Sequence, residues 1–273
     1  MFTEPVVVQL HQQIQKIFGH TPVLLGGSYV YGEATQYSDI DFYVLCSWVT
    51  FFQRKKYARQ LAAVRALFPA APISVMLVPR SFFKRGWYYI YGHDVSGQSH
   101  VSALNAAIIF RNSLKFGYYY LLKSRCAANQ AEQTRAFQKS AHQLAIAQLF
   151  LISKNQPPQF FSRRYLFAKD ESGLSPQLVA TRQMLVDPVT KIAPEMQTEL
   201  LQSLQTTRQE GDRYLHFFWP NLLMYLGKYK NLALGLNPDA ALIQALGRGL
   251  QSALDPAALL ARINQNIFPV III

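Results

Sequence analysis

The stretch GGSYVYGEATQYSDIDFYV, residues 26–44, joins a glycine turn to a strand that opens on two closely spaced carboxylates. Ile40 to Cys46 reads as a β-strand from its β-branched and aromatic residues. Side chains alternate faces along a strand, so Asp39 and Asp41 project to the same side. Two carboxylates side by side in an otherwise apolar strand repel each other, and burying them is costly unless a cation compensates. A divalent ion is the natural compensator. Mg²⁺, or Mn²⁺ in its place, takes oxygen ligands and is commonly held by one or two carboxylates together with substrate phosphates. Upstream, Gly26, Gly27 and Ser28 follow a short apolar strand. Glycines let backbone approach a phosphate, whose oxygens the amides and the Ser28 hydroxyl can then bind. Gly-Gly-Ser by itself is ordinary turn chemistry, and a turn followed by a strand whose aspartates merely cap or solvate an edge is the competing reading. The full combination of glycine turn, Gly32 and Ser38-Asp39-Ile40-Asp41 is the stronger signal.

Working outward, residues 6–18 place Val7, Leu10, Ile14, Ile17 and Phe18 at helical spacing, and Pro22 breaks the pattern before the apolar VLL. Phe51 to Phe68 repeats apolar residues at helical period with Arg54, Lys55, Arg59 and Arg65 between them, and Ile73 to Val78 reads as a third strand closed by Pro79. Helix, strand, helix, strand implies a sheet domain with flanking helices. From about Val101 the texture changes to Ala-, Leu- and Gln-rich stretches. Phe137, Ala141, Leu144, Ala145, Gln148, Leu151 and Ile152 form one buried stripe of a helix. The second half therefore reads as a helical bundle, broken at NQPPQ, Pro188 and Pro194, and the turn-forming GHDVSGQSH, residues 92–100, reads as the hinge. The closing FPVIII is expected to pack against that bundle, being far short of the roughly 20 residues of a membrane span.

Residues 26–44 resemble the signature of the DNA polymerase β nucleotidyltransferase superfamily, above all its minimal bacterial members, which carry Gly-Ser, Gly-Glu-Ala and Ser-Asp-x-Asp. The resemblance implies an α+β fold: a mixed sheet with flanking helices over 1–98, followed by an all-α bundle over 99–273. It also implies transfer of a nucleoside monophosphate from an NTP, ATP among them, to an acceptor hydroxyl. Asp39 and Asp41 would be the catalytic residues and hold Mg²⁺ or Mn²⁺, while Gly26, Gly27, Ser28 and Ser38 would bind the nucleotide. Such enzymes supply a third carboxylate from a later strand, and here the expected strand PISVMLVP offers Ser74. No Asp or Glu occurs between Asp41 and Asp94. Glu33 or Asp94 could fold into the site, Glu132, Asp170 or Glu171 of the helical half could supply the base, or catalysis is lost and a silent nucleotide-binding or partner-binding module remains.

Half of the 273 residues are hydrophobic, enough for a sizeable core, and the formal net charge of +12 favours polyanions. The charge does not choose among a small-molecule, protein or RNA-end acceptor, and a protein partner is a further possibility. The N-terminus lacks the basic start and apolar centre of a signal peptide, which together with the absence of a long apolar run leads to an expectation of a cytoplasmic protein without a membrane partner. Cys46 and Cys126 are too few for a disulfide framework. The six histidines show no spacing suited to zinc. Tyr118, Tyr119 and Tyr120 with Lys123 and Arg125 offer either a stacking platform or core packing. Arg111 and Lys115, four apart, would share a helix face that could meet a triphosphate, and Arg163, Arg164, Tyr165 and Lys169 form another basic cluster.

Overall fold

A computed structural model of the protein describes residues 4–34, 38–86, 89–103, 105–152, 175–186, 192–215, 238–252, 255–264 and 271–272. The chain divides into two compact units, Met1–Asn105 with Val270–Ile273, and Ala106–Pro269.

The first unit is built on a six-stranded mixed sheet. It begins with α1 (Glu4–Phe18), whose Val7, Leu10, Ile14 and Phe18 recur at helical spacing and are all buried. Gly19 ends this helix at φ +59°, the left-handed conformation that glycine reaches without strain. Gln15 then fixes the entry to the sheet: its amide donates to the Thr21 carbonyl at 3.0 Å and its oxygen accepts from the Val23 amide at 3.2 Å. The first strands are β1 (Val23–Gly26) and β2 (Ile40–Cys46). Then come α2 (Trp48–Phe52), capped by the Ser47 hydroxyl, α3 (Arg54–Leu67), β3 (Ile73–Pro79) and α4 (Arg80–Lys84). Strand β1 is antiparallel to β2, and β2 is parallel to β3, which α2 and α3 make possible as the crossover. One sheet face carries Val23, Ile40, Phe42, Val44, Val75 and Leu77 against Leu10, Ile14 and Phe18 of α1 and Leu61 and Val64 of α3. Burying each such side chain contributes roughly 1.5–3 kcal/mol, and this face sets which β2 residues look the other way.

Two sequence expectations are corrected here. Residues 92–100 are no hinge: β4 (Tyr91–His93) and β5 (Ser99–Val101) form an antiparallel hairpin that extends the sheet beside β1. Its turn-forming residues do make a turn, with Asp94 accepting from the amides of Ser96 and Gln98 and Gly97 at φ +84°, but a turn serves a hairpin as well as a hinge. Strands of three residues, YGH and SHV, are too short to show alternation. The second correction concerns the closing residues. β6 (Ile271–Ile272) pairs antiparallel with Met76 and Leu77 of β3, so these two residues belong to the sheet of the first unit.

Among its described residues the second unit is helical: α5 (Ala106–Arg125), α6 (Gln130–Ile152), α7 (Pro176–Val186), α8 (Pro194–Glu210), α9 (Pro238–Gln251) and α10 (Pro256–Asn264). Ser140 of α6 donates to the Gly117 carbonyl of α5 at 2.7 Å, and a side chain at Gly117 would collide with Leu204 of α8. Tyr118 and Tyr119 are core residues here, and burial pushes the Tyr118 phenol up to about 12. Arg125 donates to the Leu250 carbonyl near the end of α9. Among the described residues no helix is long and apolar enough to cross a membrane. Both cysteines are free, and burial pushes the Cys46 thiol up to about 11.

Candidate functional site

The antiparallel register sets Gly26, the last residue of β1, directly opposite Asp41 of β2. The chain then turns through a short 3-10 segment, Gly27–Tyr29, closed by hydrogen bonds from the amides of Val30, Gly32 and Glu33 to the carbonyls of Gly27, Tyr29 and Ser28 at 2.9–3.2 Å. Gly27 occupies φ +63°. A side chain there would be strained by its backbone and would also collide with the Asp41 carboxylate, whose Oδ2 lies against the Gly27 α-carbon. Gly26 has a different reason to lack a side chain, because the Tyr43 ring covers its α-carbon.

Asp41 and Tyr43 are half-buried while Ile40, Phe42 and Val44 are fully enclosed, so the carboxylate belongs to the sheet face away from α1 and α3. Asp39 and Ser38 are also half-buried and directly precede β2; the Ile40 amide donates to the Pro72 carbonyl at 2.8 Å, which starts the ladder at the next residue. Alternation puts Asp39 on the same face as Asp41. On the other side of β2, the parallel register pairs Asp41 with Ser74. The fold thus gathers Gly26, Gly27, Asp41, Tyr43 and Ser74, keeps Ser28 in the same turn, and holds Ser38 and Asp39 at the head of the strand.

Of the carboxylates weighed as a third acid, Glu33 and Asp94 belong to the first unit and Glu132 to the second. Glu33 closes the turn through its amide. Asp94 is in the β4–β5 turn, where its carboxylate accepts from the Ser96 hydroxyl at 2.6 Å and meets the His100 ring at 2.8 Å; the Ser96 bond first, then His100 and the Gln98 and Ser96 amides, hold it well below the usual carboxylate range. Glu132 is exposed in the first turn of α6, its amide bonded to the Asn129 side chain, a favourable position against the helix dipole. Asp170 and Glu171 lie outside the described residues, as do Arg163, Arg164, Tyr165 and Lys169. Arg111 and Lys115 share a face of α5, and both are buried in the helical unit, Arg111 donating to the Tyr214 carbonyl.

Among the described residues no three or more His, Cys, Asp or Glu side chains gather into a metal-binding group. Two carboxylates on one strand face suit an ion that completes its shell with phosphate oxygens and water, as Mg²⁺ does, and do not make a closed zinc cage. Sequence reasoning missed Tyr43. Its signal was its place two residues after Asp41, on the same alternation.

Residues 7–92 match the family model described as nucleotidyltransferase domain, a segment that runs from α1 into β4 and contains the whole of this site. No curated protein and no solved structure matches the chain.

Proposed function

We propose, from the premise that residues 7–92 are a nucleotidyltransferase domain consistent with the polymerase β type, that this protein moves a nucleoside monophosphate from an NTP to an acceptor hydroxyl. One observation carries the reading: within the matched segment, the left-handed Gly27 lies against the Asp41 carboxylate. Phosphates held by the Gly26–Ser28 turn would therefore meet the carboxylates of β2. In the reaction the acceptor hydroxyl oxygen bonds to the α-phosphorus and gives up its proton to water, the bond to the pyrophosphate oxygen breaks, and pyrophosphate leaves with that electron pair. Asp39 and Asp41 would hold Mg²⁺ or Mn²⁺, whose contribution when bound is to offset phosphate charge. Gly26, Gly27, Ser28 and Ser38 would orient the triphosphate. The sheet unit would serve as the catalytic domain and the helical unit as a second domain. Acceptors consistent with the chain's positive charge are a small molecule, a protein side chain or an RNA end, and a cytoplasmic setting, where NTPs are made, suits the reaction.

A second reading has its own support. Ser74 stands beside Asp41 in the β2–β3 register, and a hydroxyl brings no negative charge for metal binding or proton removal. A silent nucleotide-binding or partner-binding module would keep the fold without turnover. The deciding experiment follows label from α-³²P NTPs, with Mg²⁺ or Mn²⁺, into components of a cell extract. Transfer abolished by both Asp39→Asn and Asp41→Asn supports the enzyme, and the labelled species gives the acceptor class. Metal-dependent NTP binding without transfer supports the silent module.

A further inference from the structure

From Phe42 to His93 the chain holds eight lysines and arginines and no aspartate or glutamate. The fold concentrates several of them at one end of the sheet. Parallel pairing brings β2 and β3 to a close side by side, at Cys46 and Pro79. The elements leaving them, α2 with the first turn of α3 and then α4, therefore begin next to each other. Arg80 ties the two exits together by donating its Nε hydrogen to the Leu45 carbonyl at 3.0 Å. Lys55, Lys56, Arg80, Lys84 and Arg85 are all exposed. Amid these cations stands Trp48, 44% exposed. Its indole meets Phe82 of α4 at 5.2 Å with rings 86° apart, and Phe51 at 5.4 Å and 77°. Two edge-on ring contacts fix the indole in orientation while leaving a large part of it in solvent.

We propose that this end of the sheet unit binds single-stranded nucleic acid, with phosphates against the cations and an unstacked base on the Trp48 ring. The charge is complementary to a polyanion, and the absence of any acid over this stretch removes the repulsion that would oppose one. A fixed, half-exposed aromatic among cations is the arrangement by which single strands are held without regard to sequence. An anionic membrane surface is a poorer match. Interfacial helices bury a long apolar face, whereas α2 has five residues, and among the described side chains the exposed apolar ones beside the cations are Trp48 and Val49. The surface is separate from the candidate carboxylates. The five residue steps from Asp41 to Cys46 span roughly 17 Å of strand, and binding here needs no NTP and no turnover, so the proposal does not rest on the transfer reading.

The test is fluorescence anisotropy of the full chain with labelled oligo(U) RNA of about 15 nucleotides, a length within reach of such surfaces, at low and moderate salt. The wild type should bind with an affinity that falls as salt rises. Lys55→Glu with Lys84→Glu should weaken binding at least tenfold and flatten the salt slope by about 0.7 per lost phosphate contact. Trp48→Ala should weaken it roughly 5- to 150-fold, the range for losing one stacked base. Because Trp48 also packs on Phe82, melting curves must accompany that variant; the charge-reversed double variant changes exposed side chains only and keeps the test decisive if Trp48→Ala fails to fold. The proposal is overturned by the absence of RNA binding at low salt, by unchanged affinity in the charge-reversed variant, by equal affinity for duplex RNA, or by capture on phosphatidylserine vesicles in place of RNA. Label transfer that survives such a failure would leave the transferase reading intact.

Discussion

Replacing Gly27 by alanine separates backbone strain from damage to the site, because the fold supplies its own control. Gly27 and Gly19 adopt nearly the same left-handed backbone, φ +63° and +59°. An added Cβ at Gly19 meets nothing within 4 Å, whereas at Gly27 it collides with the Asp41 carboxylate. Gly19→Ala should therefore lose only the left-handed penalty of about 1–2 kcal/mol. Gly27→Ala adds an overpacking term, for a total of about 2–5 kcal/mol if the carboxylate cannot swing clear. Should it swing clear, stability recovers while the carboxylate sits in the wrong place, and a shift of about 1 Å in a reacting site lowers rate roughly 100-fold. Urea unfolding measures the first quantity, and label transfer from α-³²P NTP the second. Gly19→Ala is expected to destabilise with transfer unchanged, and Gly27→Ala to lose either distinctly more stability or about two orders of magnitude in transfer. If both variants matched in stability and in transfer, the contact between Gly27 and Asp41 would have no consequence and the proposed site would lose its main support.

Ser74→Asp restores a carboxylate beside Asp41. In EDTA it should lower stability by roughly 1 kcal/mol or more through like-charge repulsion, and Mg²⁺ should raise its melting temperature more than that of the wild type; an equal Mg²⁺ response in both would remove Ser74 from the metal site. Asp94→Asn should leave label transfer within about twofold, since its carboxylate is engaged by Ser96, Gln98 and His100 in a turn, and a large loss would make Asp94 the third acid after all. His11 is buried against Phe42, bonded to the Val23 carbonyl at 2.7 Å, and burial lowers its pKa against the opposing influence of that bond and of Asp94. A folded-state pKa below the ordinary 6.5 means that the unfolded chain takes up the proton first. This contribution to stability is thus complete above about pH 6.5 and lost as the pH falls toward the folded value. Urea midpoints between pH 7 and pH 5 should decline in the wild type and decline less in His11→Gln; parallel slopes would rule His11 out as the cause.

The primary sequence carried the local features of this protein. Helical spacing in residues 6–18, the strand beginning at Ile40 and the glycine turn before it are set by side-chain periodicity and backbone freedom, both of which act over a few residues. The same alternation is the ground for expecting Asp39 and Asp41 on one face. What required tertiary structure was pairing and burial. Ser74 was a candidate from its strand alone, but only the parallel register sets it beside Asp41. Only the β1–β2 pairing sets the Tyr43 ring across Gly26. Arg111 and Lys115 looked like a cationic face for a triphosphate, and helix packing instead encloses them in the second unit. The short strands β4, β5 and β6 escaped notice because two or three residues carry no measurable alternation, and β4 and β6 pair with strands, β1 and β3, that are far away along the chain, β5 following β4 in a hairpin. Periodicity reports which side of an element is apolar; which element covers that side is fixed by the packing of the whole unit.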